Sequence, residues 1–182
     1  MTDPGVGDVA VAPGTRVLHI GPPKTGTTSL QAAFHASRPA LLEQGVRYAG
    51  RTHHARRAAY AALRQPEYGF LEAPPPARLW DELVAEIRDA PEPRVVLSSE
   101  IFTDGDDEAM RRVIADLDAE RVHVVVTLRP LVRILASQWQ QGLKGGQRQT
   151  LDGWLKAVFD GDGTPARRFW HRHRHDQLVR RW

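Results

Sequence analysis

The sequence predicts an α/β fold, a doubly wound parallel sheet in three layers, and three observations carry that expectation. Short apolar runs alternate with amphipathic stretches along the chain. The first of those runs opens directly into a glycine-bearing loop and then a helix. The runs themselves are nearly continuous in apolar character, the mark of parallel strands covered on both faces rather than sheets with one wet face. A chain of 182 residues is long enough to bury one core and short for two. A flexible leader is therefore expected over 1–14 and one α/β domain over 15–182.

Taken in order, residues 16–20 (Arg-Val-Leu-His-Ile) form a short strand, residues 21–26 a loop, and residues 27–37 a helix. Residues 51–65 are rich in alanine and predict a helix, and Pro74, Pro75 and Pro76 make a stiff break. Residues 77–89 place Leu79, Leu83 and Ile87 four apart, one apolar stripe of a surface helix. Residues 94–98 (Arg-Val-Val-Leu-Ser) are a second apolar strand, 106–117 another helix, and 121–128, with Val122, Val124, Val125 and Val126, a third strand. Pro130 sits where a first helical turn tolerates proline, so a helix follows over 131–141. Residues 151–159 and 166–182 are further helices, with Trp139, Trp154 and Trp170 read as core or half-buried aromatics.

Composition narrows the function classes. A hydrophobic fraction of 41% and a charged fraction of 26% are those of an ordinary soluble globular protein. With no cysteine, a disulfide framework, a thiolate nucleophile and a Cys-ligated zinc site are all excluded. The most apolar stretch, 122–128, is far shorter than the roughly 20 residues of a membrane helix, so no membrane partner and a cytoplasmic location are expected. Lys and Arg outnumber Asp and Glu by 25 to 22, a mild lean toward anionic ligands. Much of that excess lies near the end of the chain, in Arg167, Arg168, Arg172, Arg174, Arg180 and Arg181.

The loop after the first strand reads Gly21-Pro22-Pro23-Lys24-Thr25-Gly26-Thr27-Thr28. It combines the parts of a phosphate or sulfate cradle: a glycine that lets backbone approach an anion, amides at a helix start, two hydroxyls and a cation. Without Lys24 and the two threonines, the same glycines and prolines would read as a tight turn. In a Walker A loop the Lys follows the second glycine; here it precedes Gly26.

A second group stands at the end of the third strand. Arg129 lies at a strand's carboxyl end, where open α/β sheets bind ligands, and Arg133 and Ser137 share a helix face by their spacing of four. Taken alone, such a group reads more simply as a helix with solvated arginines. The third feature, Ser98-Ser99-Glu100, follows the second apolar strand and puts a carboxylate at the same edge.

The run from Pro23 to Thr28 resembles the 5'-phosphosulfate-binding loop of sulfotransferases that use 3'-phosphoadenosine-5'-phosphosulfate (PAPS). Arg129 with Ser137 resembles that family's 3'-phosphate-binding pair, an Arg after a strand and a Ser eight residues later. The resemblance extends from about Arg16 to Trp139. It implies a sulfotransferase variant of the P-loop nucleoside-triphosphatase fold, with PAPS as co-substrate, no metal, and a hydroxyl or amine on a small-molecule or carbohydrate acceptor. It further implies that Pro23, Lys24, Thr25, Gly26, Thr27 and Thr28 bind the 5' end, with Lys24 stabilising the leaving phosphate. Arg129 and Ser137 bind the 3'-phosphate. Family members commonly run on past the point where this sequence stops, so the fold is expected to be incomplete at that end.

Transfer to a hydroxyl needs a base. Glu100 is the first choice, since some sulfotransferases use a Glu and the cytosolic type a His. His53 and His54 compete, a neutral imidazole being suited to proton abstraction near neutral pH. The run His171-Arg172-His173-Arg174-His175 looks like a metal tract, but interleaved arginines repel a cation and a solvated helix face is expected. Two alternatives remain open. One is a P-loop kinase-like phosphotransferase, which would need magnesium ligands not evident here in the required order. The other is a catalytically inactive anion- or nucleotide-binding fragment; nucleic acid is not an expected partner.

Overall fold

The computed structural model describes residues 11–67, 72–161 and 163–182. The expected leader falls outside these as far as residue 10. Its last residues are tied to the domain, with Arg94 Nε donating to the Val11 carbonyl at 2.7 Å and the Gly14 amide to the Pro93 carbonyl at 2.6 Å.

The fold is α/β, and among the described residues its sheet has four strands, all parallel. β1 (Arg16–Ile20) is an inner strand, flanked by β3 (Arg94–Ser98) and β4 (Val122–Val126), with β2 (Val46–Tyr48) outside β3. The register aligns Leu18 with Leu97 and Val124, and His19 with Ser98 and Val125. Leu18, Ile20, Val95 and Leu97 are at most 2% exposed, as strands covered on both faces require.

β4 departs from that expectation. Its exposure alternates, with His123 and Val125 open and Val122, Val124 and Val126 half-buried. An edge strand lacks a neighbour on one side, and here one of its faces also lacks a covering layer. A run of valines signals strand but cannot tell a central strand from an edge.

The helices are α1 (Thr27–Ala36), α2 (Arg38–Glu43), α3 (Arg56–Leu63), α4 (Arg78–Arg88), α5 (Asp107–Asp116), α6 (Leu131–Lys144), α7 (Leu151–Phe159), α8 (Thr164–His173) and α9 (His175–Arg181). α3 begins five residues later than its alanine content predicts, so Arg51 to Ala55 form a loop that carries His53 and His54. α2 and β2 are not foreseen. The expected final helix is broken at Arg174, whose ψ of 85° leaves the helical region between α8 and α9.

Two apolar clusters hold these elements. The larger packs Leu18, Ile20 and Leu97 with Leu63, Leu83, Ile87, Phe102, Val113 and Leu178. The smaller joins Ile134, Trp154, Val158 and Phe169, with Trp139 and Trp170 half-buried against it. Each such side chain contributes about 1.5–3 kcal/mol by leaving water.

The histidine tract is solvated only in part: His171 and Arg174 are exposed and His175 half-buried, but His173 turns inward. His173 is 3% exposed, its ring lies 4.6 Å from that of Phe169, and its Nδ1 is buried with no hydrogen-bond partner. Burial, then the neighbouring His175 and Arg172, brings its pKa down to about 4.

Candidate functional site

The parallel sheet brings three chain segments side by side at the carboxyl ends of its strands. Past β1 and β3, the Ser99 amide donates to the His19 carbonyl at 3.1 Å. Past β1 and β4, the Thr127 amide donates to the Ile20 carbonyl at 3.0 Å. The loop beginning at Gly21, the Ser98-Ser99-Glu100 segment and the Thr127-to-Arg129 segment therefore leave the sheet together. This is the edge at which open α/β sheets bind ligands.

Two glycines shape the loop for different reasons. A Cβ on Gly21 would come within 2.3 Å of Thr127 Oγ1 and 2.8 Å of Thr25 Oγ1, so only glycine lets the loop tuck beneath β4's exit. Gly26 has φ of 96°, the left-handed conformation that favours glycine, and caps α1 without a side-chain hydrogen bond. Lys24 also has positive φ, 76°, a cost of order 1–3 kcal/mol for a non-glycine residue that the surrounding bonds must hold in place. Thr25 closes the turn through its amide and hydroxyl, both donating to the Pro22 carbonyl at 3.3 and 2.8 Å. Pro23 sits half-buried within that turn.

The amides of Gly26, Thr27 and Thr28 donate to no group among the described residues. They are the orphan donors of a helix start, with the positive end of the α1 dipole behind them. The Thr28 side chain is exposed, whereas Thr27 is 4% exposed and faces inward.

Arg129 and Lys24 meet at the loop: Arg129 Nη1 donates to the Lys24 carbonyl at 3.2 Å. Lys24 Nζ donates to Gln141 Oε1 on α6 at 3.0 Å. Arg133, Ser137 and Gln141 are spaced by four and lie along one stripe of α6, so the stripe carrying Ser137 is the one that reaches Lys24. Ser137 is half-buried and Arg133 exposed. Lys24 and Arg129, both named from sequence, thus meet at the loop, and Ser137 lies one turn from Gln141 on the helix that Lys24 contacts. Gln141 was missed; its signal was its place one turn beyond Ser137.

On the other side of Thr28, the rival base candidates prove to be one pair. His54 Nε2 lies 3.0 Å from Glu100 Oε2 and 3.2 Å from Ser99 Oγ, while Gln31 Nε2 donates to Glu100 Oε2 at 3.2 Å. Burial pushes the Glu100 carboxyl up, but the His54 imidazole, followed by backbone and Gln31 amides, outweighs it and brings the pKa down to about 2. A carboxylate so stabilised accepts only, so neutral His54 carries its proton on Nε2 and keeps its lone pair on Nδ1. His53 is exposed and its carbonyl accepts from the Tyr48 hydroxyl at 2.7 Å. Glu100 itself opens a 3-10 turn, Glu100–Asp104, capped by Ser99.

A cavity of about 670 Å³ begins at this pair. Thr28, Gln31, His54 and Glu100 form one end; Ala55, Ala58, Leu79 and Leu83 give an apolar wall; Arg51, Arg57, Glu82 and Glu86 add charge. Its size is within the range of small-molecule sites. The apolar wall of the cavity was not foreseen from sequence, because α3 and α4 come together only in the folded chain.

Comparison with family models, with curated proteins and with solved structures found no match for this chain. No helix among the described residues is long and apolar enough to cross a membrane.

Proposed function

We propose that this chain carries the nucleotide-binding site of a PAPS-dependent sulfotransferase, with a sulfotransferase variant of the P-loop fold. The observation that carries the reading is the arrangement on the two sides of Thr28. Three unpartnered amides with two cations lie on one side, and an imidazole–carboxylate pair opening on a cavity lies on the other.

In this reading the 5'-phosphosulfate lies on the amides of Gly26, Thr27 and Thr28, with the Thr28 hydroxyl and Lys24 beside it. Arg129 and Ser137 receive the 3'-phosphate. The acceptor occupies the cavity with its hydroxyl or amine beside His54. The acceptor atom forms a bond to sulfur as the bond from sulfur to the 5'-phosphate oxygen breaks. The leaving phosphate keeps the electron pair and Lys24 exchanges Gln141 for it, while the acceptor's proton passes to His54 Nδ1. Glu100 holds the imidazole in the required tautomer and stabilises the imidazolium, the role of a carboxylate behind a catalytic histidine. In this reading His54 is the base and Glu100 its partner, since Glu100 Oε2 already accepts from both His54 and Gln31 and a carboxylate held by two donors is a poor proton acceptor.

Amide-resolved NMR tests this reading. Adding 3'-phosphoadenosine-5'-phosphate should shift the Gly26, Thr27 and Thr28 resonances and the Arg129 side chain together. Shifts confined to the arginine-rich end of the chain would refute it.

A further inference from the structure

Beneath the loop lies a buried polar chain that the proposed reaction does not use. His19 is 2% exposed near the carboxyl end of β1, with Nδ1 2.7 Å from Ser98 Oγ and Nε2 3.2 Å from Thr127 Oγ1. Ser98 Oγ also accepts from Gln31 Nε2 at 3.2 Å, and Gln31 is the residue that donates to Glu100. At the other end, Thr127 Oγ1 lies 3.2 Å from Thr25 Oγ1, which donates to the Pro22 carbonyl.

One donor order satisfies every link. Gln31 must turn its amide nitrogen toward Glu100, because a carboxylate only accepts, and the same nitrogen then donates to Ser98. Ser98 gives its proton to His19 Nδ1 across the shortest contact of the set. His19 therefore carries its own proton on Nε2 and donates to Thr127, Thr127 donates to Thr25, and Thr25 donates to Pro22. Every proton points from the Glu100 side toward the anion loop. A burial-depressed imidazole pKa keeps His19 neutral, as a ring that must both accept and donate requires.

We propose that His19 is a positioning residue that sets the anion loop against the His54–Glu100 pair, through a one-directional hydrogen-bond chain from Gln31 to Pro22. Its two ends are the turn that presents the Gly26, Thr27 and Thr28 amides and the glutamine that steadies Glu100. The side chain has no access to a ligand, so it acts only through these neighbours. Gly21 belongs to the same device: any side chain there would enter the space of Thr127 and Thr25.

The tautomer decides the matter first and needs no substrate. Nitrogen-15 NMR of the full chain near pH 7.5 should find His19 protonated on Nε2. The competing acceptor for Ser98's proton is the Tyr48 phenol, whose ionisation Ser98 influences. Were that contact the real one, His19 would carry its proton on Nδ1, and this result would overturn the proposal.

Two variants then test the positioning role. His19→Gln can accept from Ser98 and donate to Thr127 in the same sense, so it should keep wild-type amide exchange at Thr25. His19→Phe removes both links and should speed Thr25 exchange by about tenfold, and shift the His54 ring signals. Equal Thr25 exchange in wild type, Gln and Phe variants would contradict the proposal. Should the Phe variant fail to fold, the wild-type tautomer and the Gln variant still decide. None of these readouts uses nucleotide, so they stand or fall separately from the sulfotransferase reading.

Discussion

The two halves of the candidate site are built in opposite ways. On the loop side, the amides of Gly26, Thr27 and Thr28 have no acceptor among the described residues, and Lys24 and Arg129 rest on neutral groups, a glutamine oxygen and a carbonyl. On the other side, Glu100 is bonded to both His54 and Gln31, and that network continues inward to His19. Donors without acceptors among the described residues can receive an anion, as the proposed function asks of them, whereas a closed network is held in place by its own bonds. The contrast separates ligand binding from preorganisation, and each half should respond differently to the same kind of truncation.

The largest effect should follow from breaking the closed half. His54→Ala should lower turnover by about 10²–10⁴, the range for loss of a positioned base, with little change in nucleotide affinity. Glu100→Gln should fall between this variant and wild type, because the imidazole remains but its partner charge is gone. A Glu100→Gln variant as impaired as His54→Ala, with a normal pH profile, would return the base role to Glu100.

Stability should show the same order between His54 and Lys24, one side chain from each half. His54→Ala leaves a half-buried carboxylate with one partner fewer and should cost about 1–3 kcal/mol. Lys24→Ala removes a charge at the open side and should stay within about 0.5 kcal/mol. Urea unfolding of both variants checks the contrast. Gly21→Ala should also be costly, about 1–3 kcal/mol, because its Cβ would overlap Thr127 and Thr25.

Acid should reach the protein in two windows, an upper one in which buried neutral histidines, His173 above all and His19 beneath the site with it, cease to stabilise the fold, and a lower one set by Glu100. His173 is buried neutral with a pKa near 4, below the 6.5 of an unfolded histidine, so the unfolded chain binds the extra proton first. The stability it confers is complete above pH 6.5 and drains away as pH falls toward 4, a loss of about 2 kcal/mol between pH 7 and 5. Glu100 titrates near 2 when folded and 4.5 otherwise, so its contribution is present above pH 4.5 and is lost below that. Melting curves at pH 7 and 5 should converge in His173→Phe relative to wild type. An unchanged spread would mean that this ring does not set the upper window.

What could be read from the sequence follows the range of the interactions involved. The strand, glycine loop and helix were legible because they are consecutive, and Lys24, Gly26, Thr27 and Thr28 suggest the proposed anion site by local chemistry alone. Arg129 and Ser137 were legible as a spacing. The pairing of His54 with Glu100 was not, because it depends on α3 starting at Arg56 and leaving His54 in a loop that folds back to β3. β2 was missed because three residues interrupted by Arg47 carry no period, and α2 because six residues are too few for an apolar stripe. Its one signal was Pro39 just inside the helix start after Ser37. The openness of β4 and the burial of His173 are tertiary facts, decided by what does or does not pack against them.

The central claim is that Lys24, Arg129 and the loop amides form a site for a nucleotide with a 3'-phosphate. Calorimetric titration of the chain with 3'-phosphoadenosine-5'-phosphate, in parallel with ADP, tests it most directly, with Lys24→Ala and Arg129→Ala as controls. The account predicts binding that prefers the 3'-phosphate and weakens by roughly 10- to 150-fold in each variant, the effect of losing one charge-assisted hydrogen bond. Equal affinity for ADP, or binding indifferent to both substitutions in a folded chain, would contradict it.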